Sequence, residues 1–435
     1  MHILLIQSLT QFDESPIYPL GLCYIAAQLS GQDVSIFDMN TSQEPYGELY
    51  DKIRDIRPQM IGLSLRNIKV ATPGGHHSSF VPHEETIKII RKAAPDTLIV
   101  AGGSAFSLYA EDIMKRLPEI DFGVSREGEE SFPELLKNLK QPEAVKGVYF
   151  RKKEEIHFTG HRGFIPSNKI SSPNRSLVDA AKYLSSPYSI GVQSKRGCGL
   201  KCIHCSDRYL FGKKIRLRDP VEVVDEIEHL IKQDGLKDFS FVDQEFNIPM
   251  NHAEEICKEI IYRKLNVKWT AWFNVKYINQ DLLEMVKKSG CARLSFSPDS
   301  ASDSILKRLK KNFTARELIR TYVLASKIGM EVEYSFMVNG PGETIFTLFE
   351  TLLFVVKAKY ALRKKLLLHN LLMTTPIRIY PWTELRKIAV QEGLIDLDND
   401  LVEPVFYNPA PLRHVVGIMS RCSRFVWWIK GCLKK

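Results

Sequence analysis

Along the first 140 residues, short apolar runs alternate with longer stretches whose apolar positions recur every three or four residues. Ile3–Gln7, Val34–Asp38, Met60–Leu65, Leu98–Ala101 and Phe122–Ser125 read as strands, and Gly21–Leu29, Pro45–Ile56, Glu84–Ala94 and Ala110–Arg116 as helices. Such a βαβ series predicts an α/β fold with a doubly wound, Rossmann-like parallel sheet. Sheets of this kind bind ligands beyond the C-terminal ends of their strands. There the sequence places Ser64-Leu65-Arg66-Asn67, Gly102-Gly103-Ser104 and Arg126-Glu127-Gly128-Glu129.

A hairpin (Gly147–Arg151, Ile156–Thr159) and a polar connector follow, and then a second βα series begins. Ser189–Gln193, Phe239–Val242, Trp269–Asn274, Arg293–Ser297, Glu331–Val338 and Leu366–Thr374 are its expected strands. Six units predict a partial (β/α)6, TIM-like barrel with its site at the strand C-termini. The expected division is 1–145, a hairpin and linker at 146–185, the barrel at 186–385, and a small, mainly helical C-terminal region at 386–435.

Composition narrows the class. A 44% hydrophobic share over 435 residues supports two cores, and the formal net charge of +9 is spread along the chain. Nucleic acid is therefore not the expected partner. The N-terminus carries no basic, cleavable leader pattern, and no uncharged apolar run reaches membrane-spanning length, so a soluble, cytoplasmic protein is expected. Of eight cysteines, Cys198, Cys202 and Cys205 cluster; Cys23, Cys257, Cys291, Cys422 and Cys432 are scattered. That distribution does not read as a disulfide framework. Cys257 and Cys291 read as buried small hydrophobes. His76, His77 and His83 fall in what reads as a long, solvent-exposed loop.

The segment Ser194-Lys195-Arg196-Gly197-Cys198-Gly199-Leu200-Lys201-Cys202-Ile203-His204-Cys205 directly follows the first strand of the second series, at its catalytic end. Thiolates at these spacings in a Gly-containing loop can converge on one metal centre. Three thiolates would leave one iron of a [4Fe-4S] cluster open; structural zinc, with His204 as fourth ligand, is the alternative.

Cys198-x3-Cys202-x2-Cys205 after a strand resembles the signature loop of the radical S-adenosylmethionine (SAM) superfamily. The resemblance implies that the open iron chelates SAM, whose reductive cleavage gives a 5′-deoxyadenosyl radical. His204 stands where the family usually has an aromatic residue near the adenine. Gln244 and Glu245 in Phe241-Val242-Asp243-Gln244-Glu245 match the segment that receives the SAM amino group, without its small residues. Ser297-Pro298-Asp299-Ser300 resembles the segment contacting ribose and carboxylate. Asn339-Gly340-Pro341-Gly342-Glu343-Thr344 resembles the family's Gly-Pro-Gly-Glu-Thr turn near the adenine. With Arg378–Leu385 the match spans residues 189–385, which a zinc module would not predict.

Tyr18-Pro19-Leu20-Gly21, then Gly102-Gly103, then Glu127-Gly128-Glu129, is similar to the cobalamin-binding half of the class that joins B12 to this chemistry. The resemblance implies contacts to cobalamin from Tyr18, Leu20, Gly21, Ser64, Arg66, Asn67, Gly102, Gly103, Glu127, Gly128 and Glu129. The Asp-x-His-x-x-Gly cobalt-ligand motif is absent. Arg66, a poor ligand because it stays protonated, would lie on the loop covering the lower cobalt face, unless it caps a helix or pairs with Glu127.

The implied reaction is methylation of an unactivated carbon, one SAM remethylating cobalt(I) and another supplying the radical. The alternatives are a cyclase or rearranging enzyme of the same class, and a non-catalytic cobalamin- or metal-sensing module. Expected partners are a small-molecule, lipid or peptide substrate and an electron donor such as flavodoxin or ferredoxin. The basic, Trp-rich segment Val415–Lys435 reads as a packed terminal helix or as a peripheral membrane contact.

Overall fold

The computed structural model describes residues 1–10, 16–66, 80–368, 375–410 and 412–419. Asn67, His76, His77 and the Trp-rich residues 420–435 lie outside them. The chain forms two compact units. The first is Met1–Val192 with Tyr209–Gly212 and Asp400–Pro404, and the second comprises the intervening and following segments.

In the first unit, β1 (His2–Gln7), β2 (Asp33–Asp38), β3 (Met60–Ser64), β4 (Leu98–Gly102) and β5 (Phe122–Val124) pair in parallel in the order β2-β1-β3-β4-β5. Their apolar side chains meet those of the covering helices in a core that includes Ile3, Leu5, Leu22, Met60, Val100 and Val124. Because β1 is flanked by β2 on one side and β3 on the other, the winding reverses there, and ligands of such sheets sit at that reversal. The expected strands and helices are present with shifted ends: the fourth helix begins at Ser104 rather than Ala110, and the third at Val81, with Pro82 in its first turn.

That earlier start corrects the reading of His83. It is fully buried on the helix Val81–Ala93, its Nδ1 2.7 Å from the Ser8 hydroxyl, rather than exposed in a loop. The hairpin also differs from a linker: β6 (Val148–Lys152) pairs antiparallel with β5, and β7 (Glu155–Phe158) with β6, extending the sheet to seven strands. Ladder bonds and the stacked Tyr149 and Phe158 rings, 4.2 Å between centroids, hold it there.

The expected strand at 189–193 shortens to β8 (Gly191–Val192), the last residues of the first unit's long segment. In the second unit, β9 (Lys195–Arg196) pairs antiparallel with β10 (Arg216–Leu217). The strands β11 (Asp238–Phe241), β12 (Lys268–Trp272), β13 (Cys291–Asp299), β14 (Glu331–Phe336) and β15 (Leu366–Leu368) run in parallel, each paired with the next. Helices Met250–Tyr262, Gln280–Lys288, Ala315–Ile328 and Ile345–Leu362 lie between them in sequence, the pattern of a partial barrel. Trp269, Phe239, Phe246, Phe273, Phe296 and Tyr334 are fully buried around this sheet. The β13–β14 register shifts between Phe296 and Asp299, and Asp299 has φ +64°, so this strand end is re-aimed as bulges beside functional sites do.

Candidate functional site

The cysteine loop is fixed by a buried ion pair just upstream of it. Lys195 Nζ lies 2.9 Å from Asp243 Oδ2 and also donates to the Phe246 carbonyl. Asp243 further accepts from the Ser194 N–H and hydroxyl and from the Lys195 N–H. A carboxylate with this many donors in a dry site is well satisfied, and it ties the loop's start to the end of β11. Downstream, the Ile203 N–H donates to the Leu309 carbonyl, and the Ile203 carbonyl accepts from the Leu385 N–H. Backbone on both sides of the thiols is therefore positioned by other strand ends and helices.

Cys198, Cys202 and Cys205 are free and half-buried. Burial pushes the Cys198 thiol up to about 12 and raises those of Cys202 and Cys205; the Lys311 ammonium opposes burial at Cys202. Such thiols stay protonated until a metal displaces the protons. Among the described residues no three Cys, His, Asp or Glu side chains already stand together as a metal cage. The donor chemistry fits a thiolate-bound cluster, with Cys23, Cys257 and Cys291 buried away as apolar side chains.

Beside the loop is a charged cluster built from three strand ends. Asp299 Oδ2 lies 2.6 Å from Lys311 Nζ and 3.2 Å from His204 Nε2, and Lys311 also donates to the Ser297 carbonyl. Burial works against the Lys311 ammonium, but its acidic neighbours, Asp299 foremost and then Cys202 and Glu245, more than offset this, and its pKa ends up raised. Burial lowers the His204 pKa against the pull of Asp299, and its Nδ1 is buried without a hydrogen-bond partner. Gln244 Oε1 is orphaned in the same way. Buried polar atoms left open in a native site mark a place for a ligand group. Burial pushes Glu245 up to about 7, while Lys311 and a hydrogen bond to Asn274 hold it down. Asn274 and Asn312 exchange hydrogen bonds of 3.1 and 3.2 Å, completing a polar floor.

The structure thus gathers Cys202, one of the expected cluster ligands, with His204, Glu245 and Asp299 from the residues expected to meet SAM. Ser300 is set apart: its hydroxyl lies 3.2 Å from that of Thr351 and accepts from the Ser302 N–H. Ser297 contributes its carbonyl to Lys311. The Gly340-Pro341-Gly342-Glu343 turn closes on itself, the Glu343 carboxylate accepting from the Gly340 N–H at 3.2 Å. Burial pushes Glu343 up to about 7. Gly342 has φ +74°, and a Cβ there would come within 2.6 Å of Arg308 Nε, so no other residue fits without displacing that side chain. Lys311, Asn274, Asn312, Lys195 and Asp243 are positions for which sequence patterns offered no role. The only signal was three lysines, Lys307, Lys310 and Lys311, on one short segment, which periodicity alone does not tell apart.

In the first unit, the crevice beyond β3 and β4 brings together Ser64, Arg66, Gly102 and Gly103. Gly103 has φ +96°, and a Cβ there would stand 2.7 Å from the Leu65 carbonyl oxygen, so the chain passes with only backbone at this point. Arg66 is largely buried with an unpartnered Nε. Burial lowers its pKa and Asp38, not Glu127, is the charge that opposes this. A buried cation atom without a partner, beside backbone that admits no side chain, suits a large polar ligand.

The remaining residues expected there have local roles. Tyr18 is buried under the Arg175 guanidinium, 4.9 Å from the ring centroid, and edge-on to Tyr183 at 5.1 Å. Gly21 faces open space and Leu20 packs on Tyr24, Ile165 and Ile170. The Glu127 carboxylate accepts from the Ile165 N–H, Gly128 packs closely on Ile25, and Glu129 lines a shallow surface pocket with Gln28, Lys169 and Ser171.

Comparison with known proteins agrees with this division. Residues 192–355 match the sequence profile of the Radical SAM superfamily, and residues 13–136 that of the B12 binding domain. The chain is 27% identical to an uncharacterised methyltransferase of Pyrococcus horikoshii over 87% of its own length and 79% of that protein's. It is also 27% identical to the anaerobic magnesium-protoporphyrin IX monomethyl ester cyclase of Cereibacter sphaeroides, over 94% of its length and 66% of the cyclase. The fold is shared with the radical SAM methyltransferase TsrM of Kitasatospora setae at TM-score 0.77 and 20% identity, covering 90% of this chain and 76% of TsrM.

Proposed function

Because the chain belongs to the radical SAM superfamily, in the class that carries a B12 binding domain, we propose that it methylates an unactivated carbon of a small-molecule substrate. The observation that carries this reading is the pair of open polar sites, one in each domain: the orphaned His204 and Gln244 atoms beside the three thiols, and the unpartnered Arg66 Nε beside Gly103. When bound, the cluster, SAM and cobalamin together supply an organic radical and a transferable methyl group.

The chain's own residues hold and orient. Cys198, Cys202 and Cys205 would ligate the cluster. Lys311 holds the Asp299 carboxyl in place, and the Asp299–Lys311–His204 group would present an acidic and a basic side chain to the amino-acid and ribose portions of SAM. Gln244 and Glu245 would face the amino group. Arg66, with Ser64, Gly102 and Gly103, would border cobalamin, its guanidinium excluding a stronger cobalt ligand. Electrons would come from a flavodoxin- or ferredoxin-like donor.

The test is anaerobic reconstitution with iron, sulfide and hydroxocobalamin, followed by assay with SAM and a reductant. We expect about four irons and one corrinoid per chain, with iron alone lost in the C198A/C202A/C205A variant. Turnover should release both S-adenosylhomocysteine and 5′-deoxyadenosine. A chain that binds iron but no corrinoid would overturn methylation. The similarity to the cyclase over nearly the whole chain favours a second reading, a radical cyclisation, which would release deoxyadenosine without S-adenosylhomocysteine.

A further inference from the structure

We propose that the outer face of the helix Ile345–Leu362 lies on an anionic lipid bilayer. Its inner face, Leu348, Thr351, Phe354, Ala358 and Leu362, is buried. On the opposite side, Phe346, Phe349, Leu353, Val356 and Tyr360 recur at helical spacing as one ridge, and Phe346 is 80%, Phe349 63%, Val356 64% and Tyr360 87% exposed. A surface helix that only packs on its own core would be polar here. The neighbouring helix Ala315–Ile328 widens the patch with Ile319 and Val323, and the two are joined through Ser326, whose hydroxyl donates to the Ala361 carbonyl.

Charge selects the partner. Lys357, Lys359, Arg363 and Lys364 are exposed beside and beyond the ridge, and Arg316, Arg320 and Lys327 stand on the neighbouring helix; Glu350 and Glu317 are the acids of the two helices. An aromatic and aliphatic ridge within a collar of mostly one sign suits acyl chains below phosphate headgroups, where basic residues near an anionic surface strengthen attachment. None of the described helices is long and apolar enough to cross a membrane, so the helix rests in the interface rather than spanning it.

Full-length protein is to be sedimented with vesicles containing about one-third phosphatidylglycerol in phosphatidylcholine, and with phosphatidylcholine alone. We expect binding to the anionic vesicles that weakens with added salt and falls by about tenfold or more in F346S/F349S/V356S/Y360S. A second variant, K357Q/K359Q/R363Q/K364Q, alters only exposed charges and should lose the preference for phosphatidylglycerol. Wild-type protein that stays in the supernatant would overturn the proposal. So would an apolar-face variant, folded by circular dichroism, that binds as well as wild type, because the contact would then lie elsewhere in the chain. A third overturning result is a wild-type dimer, indifferent to vesicles, that the same variant converts to a monomer in analytical ultracentrifugation, since the ridge would then be a self-association surface.

Discussion

Lys311 Nζ stands 2.6 Å from the Asp299 carboxylate, and the two side chains are only 8% and 2% exposed. K311M removes the cation and leaves a desolvated anion beside His204, which for a buried pair costs about 3–5 kcal/mol. Chemical denaturation of the cluster-free protein should show that loss, with K311M/D299N recovering part of it. Under the proposed reading, K311M should also retain iron while its SAM dissociation constant rises about tenfold or more. Unchanged SAM affinity would remove Lys311 from the binding site.

The Lys195–Asp243 pair acts one step further back, on the loop rather than the ligand. D243N keeps size but weakens four hydrogen bonds that reach Ser194 and Lys195. Reconstitution should then yield less iron per chain even though all three cysteines are present, and iron counted against folded protein measures this. Full loading in D243N would show that the loop holds its position without the pair.

Gly103 and Gly21 make a matched comparison within one domain. G103A forces a side chain to φ +96° and against the Leu65 carbonyl, a strain of about 1–3 kcal/mol, and should lower both melting temperature and corrinoid occupancy. G21A meets nothing within 4 Å on the helix Leu20–Ala27 and should be neutral or stabilising by up to about 1 kcal/mol.

Glu343 gives a pH signature. Its folded-state value, about 7, lies above the ordinary carboxylate range, so the folded protein holds a proton that the unfolded chain has already released. Stability from this group is therefore full at low pH, falls as pH rises through that window, and is flat above it. Urea denaturation of the ligand-free protein at about pH 5 and about pH 8 should show a smaller difference in E343Q than in wild type. Parallel profiles would mean that the carboxyl ionises normally.

Much of this was legible in the sequence because the patterns involved are local. Parallel strands buried on both faces are short apolar runs, and Pro45–Ile56 has the same ends in sequence and structure because Pro45 opens the helix. The cysteine loop and the Gly340–Thr344 turn are contiguous, so their spacing survives as text. Lys311 and Asp243 were silent for the opposite reason: each owes its role to a partner 12 or 48 residues away, brought near only by the barrel's curvature. His83 was misread because no N-cap side chain marks the start of the helix Val81–Ala93: it is preceded by Phe80, which makes no capping hydrogen bond, and Pro82 lies in its first turn. Ser300 matched its motif, yet its hydroxyl meets the Thr351 side chain, a contact no linear pattern records.

The assignment of Tyr209–Gly212 and Asp400–Pro404 to the first unit has a practical outcome for anyone wishing to study the halves separately. The chain passes from one body to the other at 192/193, 208/209, 212/213, 399/400 and 404/405, so no single scission yields two intact pieces. Tyr209, four residues past Cys205, has the Arg126 guanidinium 4.3 Å from its ring centroid, so a fragment ending at Val192 lacks an aromatic partner of its own crevice loop. Limited proteolysis should accordingly destroy this protein as a whole rather than release a stable lobe.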